Sequence, residues 1–182
     1  MQTRSSPRLF VGFSLNESQT KQIFHLQQIL IKHVSPNSVA TLAHNLHITL
    51  GFFGPVDPTT YPAILDAINK MPKPLFSQPV DTLMWWQAAH LVCLKGQATT
   101  QLYAMAKATK AIAAVHQLTQ SEHDYIPHIS LFRGVTAASL PLTTTATQVI
   151  IAPTHLHLYQ SDYRHAIAHY SIVKSWPLQS AF

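Results

Sequence analysis

The sequence predicts an α+β fold of two fused lobes with largely antiparallel sheet. Segments with the pattern of strands often follow one another directly, and helical segments are interspersed among them. This order is typical of antiparallel sheets and differs from the strict alternation of a doubly wound parallel fold. The two halves also share a short strand pattern, and no linker or change of composition separates them. We therefore expect a single domain over residues 1–182.

The elements of the first half follow from hydrophobic spacing and from residues that begin or end helices. Asn16 is a preferred residue at a helix N-cap, and Gly54 with Pro55 is typical of the end of a strand. The predicted elements are a strand at 9–15, a helix from 16 to about 33, a strand at 45–53 and a helix from 57 to about 71.

The second half is richer in predicted strands. Runs of β-branched and aromatic residues favour strands, and an alanine-rich stretch favours a helix. A run of threonines favours a loop between two of the strands. The predicted elements are strands at 80–86, 90–94, 126–133, 149–159 and 169–176, a helix at 99–118 and a loop at 136–147.

Composition excludes several kinds of site. The chain has 182 residues but only seven acidic ones, and these are scattered. Two-metal carboxylate sites, calcium loops and glycosidase carboxylate pairs need more of them close together. None of the five glycines has the spacing of a phosphate-binding or dinucleotide-binding loop. The sequence therefore offers no local support for a nucleotide triphosphatase or an NAD-dependent enzyme.

The charge balance favours an anionic partner, although a mildly basic surface explains it equally well. The formal net charge is +5, with twelve further histidines counted as neutral. Cys93 lies in an apolar run, so we expect a buried structural thiol. No apolar run reaches the length of a membrane span, and the N-terminal segment lacks the features of a signal peptide. We therefore expect no membrane association and a cytoplasmic location.

Two short strands carry the candidate chemistry. His47-Ile-Thr49 and His128-Ile-Ser130 lie 81 residues apart, and each is flanked by apolar residues. Because successive side chains of a strand alternate between faces, each strand presents an imidazole and a hydroxyl on one face. If the lobes face each other, two imidazoles and two hydroxyls meet in one cleft.

Such a cleft suits cleavage of a phosphodiester without a metal. One imidazole takes a proton from water and the other gives a proton to the leaving oxygen, which imidazole can do near neutral pH. The hydroxyls of Thr49 and Ser130 can donate hydrogen bonds to phosphate oxygens. Neither a metal nor a cofactor is expected.

Two further residues are candidates for substrate binding. Arg133 can bind phosphate, but strict alternation from His128 places it on the wrong face unless the strand ends or bulges near Gly134. Phe53 shares parity with His47 and could stack on a base, with core packing an equal alternative. The same alternation predicts that Phe52 points to the core.

These segments resemble the two-histidine phosphoesterase superfamily, and within it the RNA 2′,3′-cyclic phosphodiesterases, also called 2′-5′ RNA ligases. The resemblance rests on residues 7–15, on Asn45-Leu-His-Ile-Thr-Leu-Gly-Phe-Phe-Gly-Pro-Val56, on Tyr125-Ile-Pro-His-Ile-Ser-Leu-Phe-Arg133, and on residues 158–161 and 170–178. It implies a bilobal, pseudo-symmetric fold of mostly antiparallel sheets flanked by helices, with a central cleft.

The resemblance also implies roles. Hydrolysis would open a 2′,3′-cyclic phosphate to a 2′-phosphate, with His47 as proton donor to the 3′ oxygen and His128 as proton acceptor from water. Arg133 falls at the arginine of the family pattern. RNA ends or small cyclic nucleotides are the implied partners, and a monomer is expected.

Two alternatives remain open. The same residues can catalyse the reverse reaction, which joins ends through a 2′-5′ linkage. A non-catalytic module that binds RNA ends is the other alternative, although binding alone does not need two proton-transfer groups. Separately, His155 and His157 share a strand face and are a weak candidate for a metal pair.

Overall fold

Ten strands and three α-helices make up the described part of the chain. In this computed structural model the described residues are 7–119, 121, 123–141, 148–164 and 167–180. The strands are β1 Arg8–Ser14, β2 Val39–Ala40, β3 His47–Pro55, β4 Gln78–Val80, β5 Thr82–Trp86, β6 Leu91–Lys95, β7 His128–Arg133, β8 Val149–Ile151, β9 His155–Arg164 and β10 Ile167–Pro177. The helices are α1 Glu17–Leu30, α2 Tyr61–Lys70 and α3 Thr100–Val115, with short 3₁₀ turns at Ile31–His33, Ala43–Asn45 and Gln87–Ala89.

The strands form one large sheet and one small sheet. The large sheet has the order β10-β9-β1-β3-β7-β6-β5, with β2 paired to β7, and the small sheet consists of β4 and β8. Each of these strand pairs is antiparallel. The predicted α+β class with antiparallel sheet is therefore confirmed. Within the described ranges, no helix is both long and apolar enough to cross a bilayer.

The two lobes meet where β3 pairs with β7. In the register of these strands, Ile48 lies opposite Ile129. Strands β10, β9 and β1 continue the sheet on one side of this junction, and β6 and β5 continue it on the other. The two strands that carry the histidine motifs are therefore the central neighbours of the large sheet.

Each lobe has its own hydrophobic core, and each core contains a helix from the other half of the chain. Helix α3, from the second half of the chain, packs with α2 and β1 around Phe53 of β3. Helix α1, from the first half, packs with β6, β7 and β8 around Ile129. Burial of apolar side chains in both cores thus depends on segments from both halves of the chain.

Several elements begin or end at other residues than the sequence predicts. Helix α1 begins as predicted, because Asn16 and Gln19 form a capping box. Helix α2 begins at Tyr61 instead of 57, because the carboxylate of Asp57 accepts hydrogen bonds from the N–H and hydroxyl of Thr59 and holds a turn there.

Two predicted strands are each divided in the structure. The strand predicted at 80–86 becomes β4 and β5, which belong to different sheets, with Asp81 between them. The strand predicted at 149–159 becomes β8 and β9, separated by residues 152–154, where Pro153 has no N–H for a ladder. Of the loop predicted at 136–147, residues 142–147 lie outside the described residues.

Candidate active site

The two histidine motifs lie on neighbouring antiparallel strands. Ile48 and Ile129 oppose each other in the ladder, and both are fully buried on the core side. The residues that flank them, His47 and Thr49 on β3 and His128 on β7, point to the other face by strand alternation. This one residue pair thus turns His47, Thr49 and His128 to the same face of the sheet.

Backbone carbonyls orient both imidazoles in the same way. Nδ1 of His47 lies 2.6 Å from the carbonyl oxygen of Asn45, and Nδ1 of His128 lies 2.9 Å from that of Ile126. Because a carbonyl oxygen only accepts, Nδ1 carries the hydrogen in each ring. Nε2 is therefore the atom of each imidazole that is available for proton transfer.

The Thr49 hydroxyl lies against the first imidazole. Its Oγ1 is 2.9 Å from Nε2 of His47, and His47 is buried, with 8% of its surface exposed. With Nδ1 already donating, neutral Nε2 accepts this hydrogen bond from the hydroxyl. The hydroxyl can rotate to another acceptor when Nε2 takes up a proton.

Burial and neighbouring charge keep both imidazoles neutral at pH 7. Burial lowers the pKa of His47 to about 4; the Asn45 carbonyl opposes this, while the charges of Arg133 and His128 add to it. Burial also lowers the pKa of His128, opposed by the Ile126 carbonyl and assisted by Arg133. A negative charge placed among these groups would favour the protonated form of each ring.

Arg133 reaches the same face as the motif despite its sequence parity. In the ladder between β6 and β7, Ser130 lies opposite Cys93 and Phe132 opposite Val92, so Leu131 has no partner. This bulge adds one residue and returns Arg133 to the face of Ser130. Its Nη2 donates to Ser130 Oγ at 3.2 Å. The sequence required a bulge near Gly134 for Arg133 to reach this face, and the bulge occurs at Leu131 instead.

The same irregularity occurs in the first motif. Between Gly12↔Thr49 and Val11↔Gly51 in the ladder of β1 and β3, Leu50 has no partner. Phe52 follows His47 by five residues, as Arg133 follows His128, and each comes after an unpaired residue. Phe52 is therefore the structural counterpart of Arg133 in the other lobe. Like Arg133, it lies on the face of its histidine motif.

The expectation for Phe53 is corrected by this register. Phe53 is fully buried in the core of the first lobe, so it cannot reach a base in the cleft. Phe52 is 59% exposed and lines the cleft instead. The unpaired Leu50 reverses the predicted orientation of the two rings, and a second register shift, between Leu9↔Gly54 and Phe10↔Phe52, leaves Phe53 itself without a partner.

Asn45 is a polar residue of the site that the sequence reasoning did not assign. It is buried; its Nδ2 donates to the carbonyl of Ala168 at 2.6 Å, and its Oδ1 accepts from the N–H of Tyr170 at 3.2 Å. These bonds attach the segment before β3 to the edge strand β10. The carbonyl that orients His47 is thereby held in place. An asparagine two residues before a motif histidine was the available signal.

Aromatic side chains from distant parts of the sequence enclose the His47 ring. The Phe10 ring centroid lies 5.0 Å from that of His47, and Phe10 stacks on Tyr159 at 4.8 Å. Tyr170 meets His47 edge-on at 5.2 Å. These contacts desolvate the imidazole and restrict its rotation. No local sequence pattern connects these residues with the motif.

A large cleft opens beside the motif residues. Its volume is about 810 Å³, and Thr49, Phe52 and His128 are among its lining residues. The Trp86 ring meets His128 edge-on at 4.6 Å. Thr49 of the first motif and His128 of the second therefore border this cleft, whereas His47 lines a separate pocket of about 200 Å³ with Tyr159 and Tyr170.

The other candidate residues have structural surroundings. Cys93 is fully buried and burial raises the pKa of its thiol to about 12, so the predicted structural thiol is confirmed. His157 lies 2.8 Å from Ser175 Oγ through Nδ1 and 3.2 Å from Ser14 Oγ through Nε2. Among the described residues no group of three or more potential ligands could hold a metal, so the pair with His155 gains no third ligand.

A bilobal antiparallel fold with a histidine and a hydroxyl from each lobe on one face defines a two-histidine phosphoesterase. The chain is similar to members of this family in sequence and in structure. It is 27% identical over 172 residues to the RNA 2′,3′-cyclic phosphodiesterase of Escherichia coli strain K12, a similarity that covers 94% of this chain and 96% of the relative. No family model matches the chain.

Solved structures agree over nearly the whole length. A crystal structure of a phosphoesterase superposes with a TM-score of 0.84 at 27% identity, covering 96% of this chain and 99% of that chain. LigT of E. coli complexed with 3′-AMP superposes with a TM-score of 0.82 at 27% identity, covering 96% of this chain and 100% of that one. A protein of Thermus thermophilus at 17% identity, with a TM-score of 0.75 and coverage of 96% and 100%, shares the fold.

Proposed function

We propose that this protein is an RNA 2′,3′-cyclic phosphodiesterase that leaves a 2′-phosphate. The observation that carries the proposal is the matched orientation of His47 and His128, each with Nδ1 bound to a carbonyl and Nε2 available for proton transfer. The E. coli relative that covers nearly the same length bears this activity in its name.

The reaction balances with the groups present. Nε2 of His128 accepts a proton from water, and the water oxygen forms a bond to phosphorus. The bond from phosphorus to the 3′ oxygen breaks, and Nε2–H of His47 donates its proton to that oxygen. The products are a 2′-phosphomonoester and a free 3′ hydroxyl. His128 then carries one proton more and His47 one fewer, and exchange with water restores both.

The negative charge of the substrate favours the protonated form that His47 needs to act as the acid. Burial, Arg133 and His128 hold the pKa of His47 low, so this ring is neutral at pH 7 in the protein alone. A cyclic phosphodiester is an anion, and its charge beside the imidazole raises that pKa. The Thr49 hydroxyl, which donates to neutral Nε2, is then free to turn to a phosphate oxygen.

Three side chains are proposed to hold the phosphate. Thr49 and Ser130 offer one hydroxyl from each strand, and Arg133 lies beside Ser130 at 3.2 Å. Hydrogen bonds from these groups to the non-bridging oxygens would strengthen as charge develops in the transition state. Each of these groups belongs to one chain, so we propose a site that is complete in a monomer.

The proposed ligands are RNA ends and small cyclic nucleotides. E. coli LigT has been crystallised with 3′-AMP and with NADP⁺. By analogy, we propose that the cleft of this chain accepts a nucleotide. Ligation through a 2′-5′ linkage is the reverse of the same proton transfers and remains the alternative activity, with binding of RNA ends without catalysis as the other alternative.

The test is hydrolysis of a nucleoside 2′,3′-cyclic phosphate in EDTA, followed by phosphorus NMR. A 2′-phosphate product supports the assignment of the acid to the 3′ oxygen. A 3′-phosphate product would retain the two-histidine chemistry but overturn the assigned leaving oxygen. Lack of turnover, together with formation of 2′-5′ linkages from a 2′,3′-cyclic end and a 5′ hydroxyl, would favour the ligase. Binding of the RNA end without either reaction would favour the non-catalytic alternative.

A further inference from the structure

The cleft continues well beyond the proton-transfer groups, along one face of helix α3. Thr49 and His128 line it together with Tyr103, Lys107 and Lys110. We propose that this part of the cleft binds the nucleotides on the 5′ side of the cyclic phosphate in a single-stranded RNA. The inference rests on the proposed phosphodiesterase function, because it extends that substrate away from its reacting end.

Helical spacing aligns the three side chains of α3. Tyr103, Lys107 and Lys110 are separated by four and three residues, which places them in one line along the helix. The opposite face, which includes Leu102 and Met105, is buried in the core of the first lobe. The line of ring and ammonium groups therefore has no packing role in that core.

The two lysines are available to bind phosphate. Both are exposed, and neither forms an ion pair with any residue in the described ranges. Neighbouring positions on a helix at this spacing have Cβ atoms about 5–6 Å apart. Asp124 also lines the cleft, but the two lysines exceed its charge. The balance along α3 therefore favours a polyanion.

Aromatic rings line the same cleft. Phe52 is 59% exposed and Tyr103 is 48% exposed, and Trp86 lies against His128 at its inner end. Exposed rings beside cations are the usual platform for unpaired bases, since each base offers a face for stacking. Paired bases in an RNA duplex have no free face, so the occupant is a single strand.

The volume of the cleft exceeds what the reacting phosphate needs. Pockets of about 300–1,000 Å³ enclose ligands of drug size, and this one measures about 810 Å³. The occupant must be polyanionic, carry aromatic faces and end in the phosphate at Thr49 and His128. A short stretch of RNA meets each of these conditions.

The experiment compares two substrates in the same protein. Values of kcat/KM are measured for adenosine 2′,3′-cyclic phosphate and for a tetra-adenylate with a 2′,3′-cyclic end, each over a range of salt concentrations. We expect the wild-type protein to prefer the tetranucleotide by about tenfold or more, since each stacked base typically contributes about fivefold or more. For this substrate, log kcat/KM should fall linearly with log salt concentration.

Variants of α3 assign the preference to this surface. Lys107→Ala/Lys110→Ala should reduce the ratio of the two kcat/KM values toward one and make the salt slope shallower by about 1.4. Tyr103→Leu should also reduce the ratio, while Tyr103→Phe should retain it because the ring remains. Lys21→Ala/Lys32→Ala removes the same charge from exposed positions in and after α1, and should leave both ratio and slope as in the wild type.

The outcomes separate this inference from the function on which it rests. A wild-type ratio and slope in the Lys107→Ala/Lys110→Ala variant would overturn the α3 site while the phosphodiesterase function stands. If the wild type hydrolyses neither substrate, the phosphodiesterase function is wrong. In that case the α3 site is tested by fluorescence anisotropy of a labelled tetra-adenylate with a 3′-phosphate, where equal affinity of wild type and lysine variant would overturn it.

Discussion

Ile48 of β3 lies directly opposite Ile129 of β7, and this pair joins the two lobes at the centre of the large sheet. Both side chains are fully buried, so their strands cannot slide without exposing them. A shift by one residue would turn His47 or His128 away from the other. The relative placement of the two imidazoles is therefore enforced by apolar burial.

Removal of either imidazole tests the proton transfers. We expect His47→Ala and His128→Ala each to lower kcat for the cyclic phosphate by about 10²–10⁴-fold, since each ring is a general acid or base. The assay uses nucleoside 2′,3′-cyclic phosphate, with circular dichroism to verify the fold. His25→Ala, an exposed histidine of α1, is the control and should retain full activity. Full activity in either motif variant would rule out the proposed mechanism.

We expect Arg133 to bind phosphate through the paired N–H groups and the permanent charge of its guanidinium. Arg133→Ala is expected to raise KM and weaken inhibition by inorganic phosphate by about tenfold or more, because a hydrogen bond to a charged group is typically worth about 1.5–3 kcal/mol. Arg133→Lys should recover only part of this, since an ammonium cannot bind two oxygens in the same geometry. Arg8→Ala, at the exposed start of β1, provides the charge-matched comparison. Unchanged phosphate inhibition in Arg133→Ala would contradict the assignment.

Stability should depend on pH through the buried imidazoles. Burial lowers the pKa of His47 from 6.5 to about 4, and burial also lowers the pKa values of His128 and His157. Between pH 6.5 and about 4 the unfolded chain binds more protons than the folded protein. The contribution of these rings to stability is therefore full above about pH 6.5 and is lost as pH falls toward 4. His47 alone contributes on the order of 3 kcal/mol to this loss.

Urea denaturation at several pH values measures that dependence. The free energy of unfolding should decrease as pH falls through this window, and His47→Gln should make the decrease shallower. His25→Gln should leave the slope as in the wild type. Identical slopes for the wild type and His47→Gln would show that His47 is not buried in its neutral form.

Asn45 is expected to act as a positioning residue for His47. Asn45→Ala removes both bonds to β10 and frees the segment whose carbonyl accepts from Nδ1 of His47. We expect kcat to fall about tenfold or more with a smaller change in KM, because the proton donor is misplaced while the phosphate groups remain.

A merely structural role for Asn45 would lower stability without changing the imidazole. The distinguishing readout is the NMR titration of His47, whose pKa should rise toward 6.5 in Asn45→Ala as the ring becomes more exposed. Asn45→Asp keeps the acceptor for Tyr170 N–H but loses the donor to Ala168, and should be intermediate. A wild-type titration curve in a variant with reduced kcat would overturn the positioning role.

Close packing of β1 against β3 predicts a local cost of stability. A Cβ added at Gly12 would collide with the carbonyl oxygen of Ile48, which is backbone and cannot move aside. Gly12→Ala should therefore lower the free energy of unfolding by about 1–3 kcal/mol, as overpacking usually does. Gly134→Ala, where an added Cβ meets nothing closer than 3.9 Å, tests backbone strain alone because its φ is +69°. Equal stability of wild type and Gly12→Ala would contradict the ladder register.

Local sequence was sufficient for much of the secondary structure. Asn16 and Gln19 indicate where α1 begins, because a capping box involves only residues of one turn. The alternation around His47 and His128 likewise predicts strands with an imidazole and a hydroxyl on one face. In β3 this arrangement is observed, because Oγ1 of Thr49 lies 2.9 Å from Nε2 of His47. The start of α2 was wrong because the Asp57 turn competes with the helix over the same few residues.

Errors concentrated where one strand meets another. Phe52 and Phe53 exchanged their predicted faces, because β3 has unpaired residues opposite β1 that no single-strand pattern reveals. Arg133 is on the site face for the same kind of reason, through Leu131 opposite β6. The role of Asn45 is not visible in the local sequence, because its partners are backbone groups of β10, more than a hundred residues away.

By itself, the sequence determined the class of fold, the two motifs and the types of group that are proposed to transfer protons. These depend on short segments, whose spacing and composition are legible without knowledge of their neighbours. Only the tertiary structure decided which rings face the cleft and that Arg133 donates a hydrogen bond to Ser130. It also decided that α3 lines the cleft with Tyr103, Lys107 and Lys110. Register and lobe packing are properties of pairs of distant segments, and their free energy comes from contacts that form only when the chain has folded.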